Sequence, residues 1–176
     1  PVEMIAVWDT VRALGNHLPL FARWTAARHV FHDHHLPMSV KNGYQALAAD
    51  ENRQVFAPIL WRSTQGWPGQ VQQMWFRGSH ADIGGQVGGF PASRPLANIS
   101  LVWMLSRAED CGLPLPPLWR NRFFRDSDAP SVGTWQGWSK FFLRRKRRTI
   151  GADRSEQVYD LLHKEPAAAA SDLVTR

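Results

Sequence analysis

The sequence predicts an α/β fold, with a mostly parallel sheet and flanking helices. Met4–Trp8 is a continuous apolar run without alternation, which is typical of a central strand covered on both faces. Val71–Phe76 predicts a second strand. A carboxylate, Asp9, follows the first strand, and an imidazole, His80, follows the second. Because ligands and catalytic groups collect at the carboxyl ends of strands in open α/β sheets, these two side chains are the first candidates for a functional site.

The segments between and after these strands predict helices. Ser39 is a candidate N-cap for a helix over residues 40–54, whose apolar positions recur at helical spacing. Asn98 is a candidate N-cap for a second helix over residues 98–110, which Gly112 ends. Two strands are too few for a sheet covered on both faces. We therefore expect an N-terminal part of the fold to lie outside this chain, and this chain to fold poorly alone.

The composition changes after residue 113, where prolines replace periodic patterns. We therefore divide the chain into residues 1–113, which hold the sheet, and residues 114–176, a largely irregular and helical extension with a loose Ala-rich tail. Ser155 is a candidate N-cap for a last short helix in this extension. The apolar positions of that helix are Val158, Leu161 and Leu162.

The charge of the chain is concentrated in one place. Its 176 residues carry 21 Lys+Arg and 15 Asp+Glu, a formal net charge of +6. Six cations lie within Lys140–Arg148, so the remaining chain holds 21 − 6 = 15 basic residues against 15 acidic ones. A nucleic-acid-binding fold spreads Lys and Arg over a whole face, so the composition does not favour that class.

Composition excludes further classes. The single cysteine, Cys111, excludes an internal disulfide framework and a cysteine-based zinc ribbon. No apolar run approaches the roughly 18 residues that a membrane-spanning helix needs. The first residues also lack the basic and apolar regions of a signal peptide.

Asp9 and His80 have the residue types and the order of a catalytic acid and base. A catalytic imidazole needs a carboxylate on its second nitrogen, which fixes the tautomer and stabilises the imidazolium. In one large class of serine hydrolases the chain order is Ser, then Asp or Glu, then His, and this pair fits the last two members. The alternative is an Asp that caps a turn and a His that packs in a loop, and spacing alone does not decide between them.

Five segments of the chain carry a family resemblance. In order, they are Val7–Val11, Phe31–Asp33, Ala46–Arg53, Trp75–Gly85 and Leu96–Met104. Their order and spacing resemble the α/β-hydrolase family once catalogued only as a domain of unknown function, which includes the phospholipase effectors of bacterial type VI secretion. The resemblance covers roughly residues 2–113. It implies that the chain is the C-terminal portion of an α/β-hydrolase fold, followed by the extension.

The resemblance also implies roles for particular residues. In that family the Asp of a Trp-Asp-Thr motif and the His of a Gly-x-His-x-Asp-x-Gly-Gly motif complete a serine triad, which here are Asp9 and His80. The implied substrate is an ester, with phospholipids as the leading class, and the implied reaction needs no cofactor. The implied location is the bacterial cytoplasm, with delivery by type VI secretion left open.

The chain departs from the family pattern in three places. The family's nucleophile lies upstream in a Gly-x-Ser-x-Gly elbow, and no such motif occurs in this sequence, so the chain alone is expected to be inactive. Gln45 stands where many members have a histidine, and Gln86 interrupts the glycine run. Ser79 adjoins His80, but adjacent residues on extended backbone point apart, which makes Ser79 a poor nucleophile.

The loop that carries His80 holds three further candidates. Asp82 can orient this loop or accept hydrogen bonds from backbone amides around Gly84 and Gly85. The alternative, which we favour, is an Asp that only forms a turn.

A cluster of imidazoles invites a metal-site interpretation, with Asp33 as an added oxygen donor. Its members are His29, His32, His34 and His35. Close spacing within an irregular segment fixes no tetrahedral geometry, so we expect no metal here.

The segment 135–148 interleaves aromatic and basic residues. Its candidate contact residues are Trp138, Phe141, Arg144, Arg145, Lys146, Arg147 and Arg148. These residue types suit an anionic membrane surface, and the same types can contact phosphates and bases of a nucleic acid. The third interpretation is a solvated charge run beside a buried aromatic patch. A module that only docks on a membrane or a nucleic acid is therefore the alternative to an enzyme.

Overall fold

The structure is a computed structural model. It describes residues 1–11, 34–64 and 66–160. In these ranges four parallel strands form one sheet in the order β1-β2-β3-β4. The strands are β1 (Val2–Trp8), β2 (Val40–Ala48), β3 (Gln70–Phe76) and β4 (Glu156–Val158). The predicted α/β class with a parallel sheet is confirmed, and the described residues hold twice the two strands that the sequence predicted.

The prediction of a helix over residues 40–54 is wrong, because residues 40–48 form β2, which lies inside the sheet. Ala46 on this strand is paired with Trp8 on β1 and with Met74 on β3. Ladders on both sides satisfy the backbone groups of β2, and most of its residues are buried. In so short a segment, apolar residues at helical spacing cannot be distinguished from the run of a buried strand. Pairing with the two neighbouring strands therefore decides the structure of residues 40–48.

Two helices follow β3. They are α1 (His80–Ile83) and α2 (Arg94–Asp110). Asn98 lies inside α2 and donates from Nδ2 to the Phe124 carbonyl at 2.8 Å, so its predicted role as the N-cap is wrong. Gly112 does lie just beyond the helix end, with a φ of +93° that favours glycine.

Helix α2 covers one face of the sheet and forms the main core with it. Its Trp103 ring meets the edge of Tyr44 with centroids 6.1 Å apart, and meets Phe76 at 5.5 Å. Ala46 and Met74 belong to the same cluster. Even-numbered residues of the strands therefore face α2, as the two-residue repeat of a strand requires.

The opposite face carries two buried amides that are neighbours in register, Gln45 on β2 and Gln73 on β3. Gln45 donates to the Ile59 carbonyl at 3.0 Å, and Gln73 bonds both backbone groups of Trp61 at 2.8 and 2.9 Å. These hydrogen bonds hold a loop against the sheet. The loop follows a short 3₁₀ helix, Gln54–Phe56, beside the carboxyl ends of the strands.

The last strand, β4, lies in the extension. Because Glu156–Val158 form this strand, the prediction of a helix after Ser155 is wrong. Ser155 donates from Oγ to Asp153 at 2.7 Å, and its carbonyl accepts from the backbone N–H of Gln73 at 2.9 Å. This turn leads into β4, where Glu156 pairs with Gln73. Leu161 and Leu162 lie outside the described residues.

Among the described residues, the helices are too short or too polar to cross a lipid bilayer.

Candidate active site

The structure brings Asp9 and His80 into contact at the carboxyl edge of the sheet. His80 Nδ1 lies 2.7 Å from Asp9 Oδ2. Asp9 follows β1 directly, and His80 begins α1 just after β3. An ionised carboxylate only accepts hydrogen bonds, so a proton is assigned to Nδ1, and in the neutral imidazole the lone pair is then on Nε2. This is the arrangement that a triad acid and base require.

Asp9 is fully buried, at 0% exposure, and its backbone is in the left-handed region with a φ of +42°. Strained backbone of this kind clusters at functional sites. Its Oδ1 accepts from the backbone N–H of Ala48 at 3.0 Å. Arg148 donates from Nη1 to Oδ1 at 2.5 Å and from Nη2 to Oδ2 at 2.9 Å. The Asp9 carboxylate is thus bonded to Ala48, Arg148 and His80.

These partners decide the charge of Asp9. Burial alone raises the pKa of the carboxyl group, because it penalises the charged form. The hydrogen bonds from His80 and Arg148, and the positive charge of Arg148, outweigh that penalty. The pKa of Asp9 therefore lies below its ordinary value, and the group is ionised at neutral pH.

His80 is held by its ring and by its backbone, and remains partly exposed. The imidazole stacks on Phe56 with centroids 4.8 Å apart and planes 25° apart. Its backbone N–H donates to Glu51 Oε2 at 3.2 Å. The side chain is 26% exposed, and Nε2 has no hydrogen-bond partner among the residues that the structure describes. The basic nitrogen is available to a reacting group.

A second ion pair lies next to His80. Arg53 donates to Glu51 from Nε at 2.8 Å and from Nη2 at 2.6 Å, and both side chains are buried. The Arg53 guanidinium also lies 4.2 Å from the centroid of the Phe56 ring. Burial raises the pKa of Glu51, but the hydrogen bonds and the charge of Arg53 lower it by more. The pKa of Glu51 therefore lies below its ordinary value, and the group is ionised. The sequence showed Glu51 and Arg53 only as part of a motif and gave them no role.

Asp82 lies in a different environment two residues beyond His80. It is fully buried, and its partners are hydroxyl and backbone N–H groups. They are Ser79 N at 2.7 Å, Ser79 Oγ at 2.8 Å, Ser131 Oγ at 2.5 Å, Val132 N at 2.9 Å and Ser93 Oγ. Burial raises the pKa of Asp82, and these hydrogen bonds lower it by more, so its pKa lies below the ordinary value. The Ser79 hydroxyl is thus committed to Asp82.

The glycines beside Asp82 contribute through their backbone. The N–H of Gly84 donates to the His80 carbonyl at 2.9 Å, and that of Gly85 to the Asp82 carbonyl at 3.3 Å. The Asp82 carboxylate therefore bonds serines and Val132 rather than the amides of these glycines. Gly78 is required on steric grounds, because it has a φ of +122° and a Cβ there would lie 2.9 Å from the Asp82 Cβ.

The family of the chain follows from a comparison with protein-family models. The model described as "T6SS, Phospholipase effector Tle1-like, catalytic domain" matches residues 1–107. The chain belongs to this family. Membership confirms the resemblance and places the chain among phospholipase-type hydrolases of type VI secretion. No curated protein and no solved structure matches the chain.

The Tle1-like match ends well before several residues of the site. Asp9, His80 and Asp82 lie within residues 1–107, whereas Ser131 and Arg148 lie beyond that range. The described part of the extension therefore completes the hydrogen bonding of both buried aspartates. The division of the chain at residue 113 stays a prediction.

The basic cluster of the Tle1-like chain divides into inward and outward residues. The Arg148 side chain is 5% exposed and pairs with Asp9. Arg145 donates from Nη1 to Asn52 Oδ1 at 2.7 Å, and its guanidinium carbon lies 3.5 Å from the centroid of the Trp135 ring. These two arginines are not free to contact a membrane surface, contrary to the sequence interpretation. The side chain of Trp138 lies outside the described residues.

The other members of the cluster face outward. Phe141 is 74% exposed and Leu143 is 77% exposed. The exposed cations are Arg144, Lys146 and Arg147. We call these five residues the outer patch.

The histidine cluster is only partly described. His29, His32 and Asp33 lie outside the described residues. His34 bonds the Leu60 carbonyl through Nδ1 at 2.9 Å. In the ranges that the structure covers, His, Cys, Asp and Glu side chains form no group able to hold a metal ion.

A cleft of about 380 Å³ lies at the opposite end of the sheet from the Asp9–His80 pair. Ser63, Trp67, Gln70 and Arg154 are among its lining residues. It opens at the amino end of β3, so it is not the space into which His80 Nε2 opens.

Proposed function

We propose that this chain carries the acid and base of a serine hydrolase that cleaves ester bonds of phospholipids. The observation that supports this most directly is the 2.7 Å contact of His80 Nδ1 with the buried Asp9 carboxylate. Its position at the carboxyl edge of a parallel sheet and the family of phospholipase catalytic domains point to the same chemistry. The proposal includes a protein of the bacterial cytoplasm that type VI secretion delivers.

In this mechanism His80 moves the proton and Asp9 keeps the ring in place. A serine hydroxyl attacks the ester carbonyl, and His80 Nε2 accepts the hydroxyl proton. The imidazolium then protonates the leaving alcohol, which departs and leaves an acyl-enzyme. Water attacks the acyl carbonyl and gives its proton to Nε2, which returns it to the serine as the fatty acid leaves. The Asp9 carboxylate stabilises each imidazolium without taking its proton.

The nucleophile of this reaction comes from outside these 176 residues. The sequence has no Gly-x-Ser-x-Gly motif. Ser79, the serine nearest to His80 in sequence, is buried and donates its hydroxyl to Asp82. We therefore expect the 176-residue chain to hydrolyse no ester by itself.

The test uses the full-length protein, a short-chain soluble ester and a serine-reactive fluorophosphonate. We expect the fluorophosphonate to label the protein, and His80→Ala to lower kcat by about 10⁴-fold or more, because both proton transfers are lost. His35→Ala, which removes an exposed histidine, is the matched control and should keep kcat within about twofold. Full activity of His80→Ala would exclude His80 as the base. A protein that is neither labelled nor active would be a family member that has lost the chemistry.

We also propose that the outer patch binds an anionic membrane. Two exposed apolar side chains, Phe141 and Leu143, are followed by three exposed cations, Arg144, Lys146 and Arg147, which is the composition of an interfacial segment. A hydrolase of phospholipids must reach its substrate at such a surface. The alternative, a docking module without chemistry, uses the same residues.

Vesicle binding tests this second proposal. Each surface cation contributes about 1 kcal/mol on an anionic membrane. The triple variant Arg144→Gln/Lys146→Gln/Arg147→Gln should therefore bind phosphatidylglycerol vesicles about 100-fold more weakly, with little change on neutral phosphatidylcholine vesicles. Equal binding of the two proteins to anionic vesicles would exclude the patch. Tighter binding to an oligonucleotide than to vesicles would assign it to nucleic acid instead.

A further inference from the structure

Arg148 makes contacts that a surface arginine does not need. Beyond its two hydrogen bonds to Asp9, it donates from Nη1 to the Ala48 carbonyl at 2.7 Å and from Nη2 to the Phe56 carbonyl at 2.6 Å. Its guanidinium also lies 5.9 Å from the centroid of the Trp75 ring. The side chain is 5% exposed. All of these partners belong to the elements that surround the Asp9–His80 pair.

The geometry of this contact fixes the Asp9 carboxylate. Two parallel N–H donors on the two oxygens hold the carboxylate plane, as a lysine ammonium cannot. The same guanidinium is anchored at the end of β2 through Ala48 and at the 3₁₀ helix through Phe56, whose ring stacks on His80. One side chain therefore sets the position of the acid relative to the ring that it must orient.

The charge of Arg148 matters as much as its shape. A buried carboxyl group without a cation tends to hold a proton, and a protonated Asp9 is a poor acceptor for Nδ1–H. Among the residues that the structure describes, the charged side chains bonded to His80 are two carboxylates, Asp9 and Glu51, each paired with its own arginine, Arg148 or Arg53. Each of these two ion pairs is balanced in charge before an imidazolium forms.

We propose that Arg148 is a positioning residue of the hydrolase, which acts through Asp9 by keeping its carboxylate oriented and ionised for His80. This inference rests on the proposed function, because it assigns Arg148 to the acid of the triad. It does not place Arg148 on the substrate. It also gives the segment beyond the Tle1-like match a part in the reaction.

The experiment compares Arg148→Gln, Arg148→Lys, Asp9→Asn and the Asp9→Asn/Arg148→Gln double variant in the full-length protein, with a soluble ester as substrate. We expect Arg148→Gln to lower kcat on the order of 10²-fold with KM unchanged, the size expected from a misplaced catalytic group. The acidic limb of its pH–kcat profile should move to higher pH. Asp9 then holds a proton more readily, because the cation that lowers its pKa has gone.

The two other variants separate positioning from folding. Arg148→Lys keeps the charge and loses the two-point contact, so kcat should fall while the acidic limb stays near its wild-type position. In the Asp9→Asn background, Arg148→Gln should change kcat by less than about twofold, because the residue through which it acts has been removed. Arg122→Gln, at an exposed arginine, is the matched control. A merely structural role would lower the folded fraction and leave the profile of the folded molecules unchanged.

A readout without catalysis keeps this inference distinct from the proposed function. Proton NMR of the protein carrying ¹⁵N-histidine should show the His80 Nδ1–H signal at low field, and Arg148→Gln should displace or remove it. An active His80→Ala variant would overturn the hydrolase mechanism, and Arg148 would lose its catalytic role with it. If His80→Ala is inactive, an unchanged signal and pH profile in folded Arg148→Gln, or additive effects in the double variant, would overturn only the role of Arg148.

Discussion

Two aspartates lie fully buried at the same end of the molecule, and they are held in different ways. Asp9 is bonded to an imidazole, a guanidinium and one backbone amide. Asp82 is bonded to three serine hydroxyls and two backbone amides. In both cases hydrogen bonds overcome the effect of burial, and the pKa of each carboxyl group lies below its ordinary value.

The partners, rather than the pKa values, separate the roles of the two carboxylates. The imidazole on Asp9 can gain a proton in a reaction, and its ring is partly exposed. The partners of Asp82 are neutral, and none of them changes charge near neutral pH. They instead join Ser79 before α1, Ser93 before α2 and Ser131 in the extension. We infer that the Asp9 environment serves the chemistry and the Asp82 environment holds the loop.

The largest effect that separates the two is expected from Asp9→Asn. The amide leaves the size of the side chain unchanged but no longer balances an imidazolium or Arg148. We expect kcat on a soluble ester to fall by about 10⁴-fold in the full-length protein, as when a triad aspartate becomes an amide. A thermal melt of the same sample reports how much of it is folded. A loss below about tenfold in folded protein would remove Asp9 from the triad.

The matching substitution at the other carboxylate, Asp82→Asn, should act on stability instead. The NH2 of the new amide would point at one or more of the N–H and hydroxyl groups that now donate to the carboxylate, and an NH2 group cannot accept their hydrogen bonds. We expect the free energy of unfolding in urea to fall by about 2–4 kcal/mol, the cost of buried donors left unsatisfied. The kcat of the folded fraction should fall far less than in Asp9→Asn. A wild-type unfolding curve, or a 10⁴-fold loss of kcat in folded protein, would contradict the structural role.

Sequence patterns predict where the two aspartates lie better than they predict the elements and side chains around them. A continuous apolar run identified β1, the segment Val71–Phe76 predicted β3, and the rule that ligands gather at the carboxyl edge brought Asp9 and His80 together. The pattern of β2 fits a helix equally well over nine residues, and only pairing on both sides decides it. β4 has three residues, which is too short for any periodic signal.

Arg148 shows why the rest of the site could not be predicted. A buried carboxylate calls for a cation, and arginine is the residue that pairs with it at two points. Six cations within nine residues offer no local rule that selects one of them. Arg148 is 139 positions from Asp9, and Ser131 is 49 positions from Asp82, so both contacts depend on how the extension folds back.

The pH dependence of stability should show three buried carboxylates together. Asp9, Glu51 and Asp82 all have pKa values in the folded protein below their ordinary values of 3.8 for Asp and 4.5 for Glu. Their contribution is therefore complete above about pH 5 and is lost as the pH falls through and below those values. Each group adds a slope of up to about 1.4 kcal/mol per pH unit in urea unfolding. Asp82→Asn should flatten this slope, and an unchanged slope would contradict the lowered pKa of Asp82.

The smallest effect should come from a single hydroxyl on Asp82, in Ser131→Ala. Ser131 Oγ donates to Asp82 at 2.5 Å and accepts from the backbone N–H of Gly133 at 2.9 Å. Four other donors stay on the carboxylate, so we expect a loss of about 1 kcal/mol in urea unfolding, the net contribution of one such hydrogen bond. Thr149→Ala, which removes an exposed hydroxyl, should change stability by less than about 0.5 kcal/mol. Equal curves for the two variants would mean that the Ser131 hydroxyl does not stabilise the loop, and that the other donors alone hold Asp82.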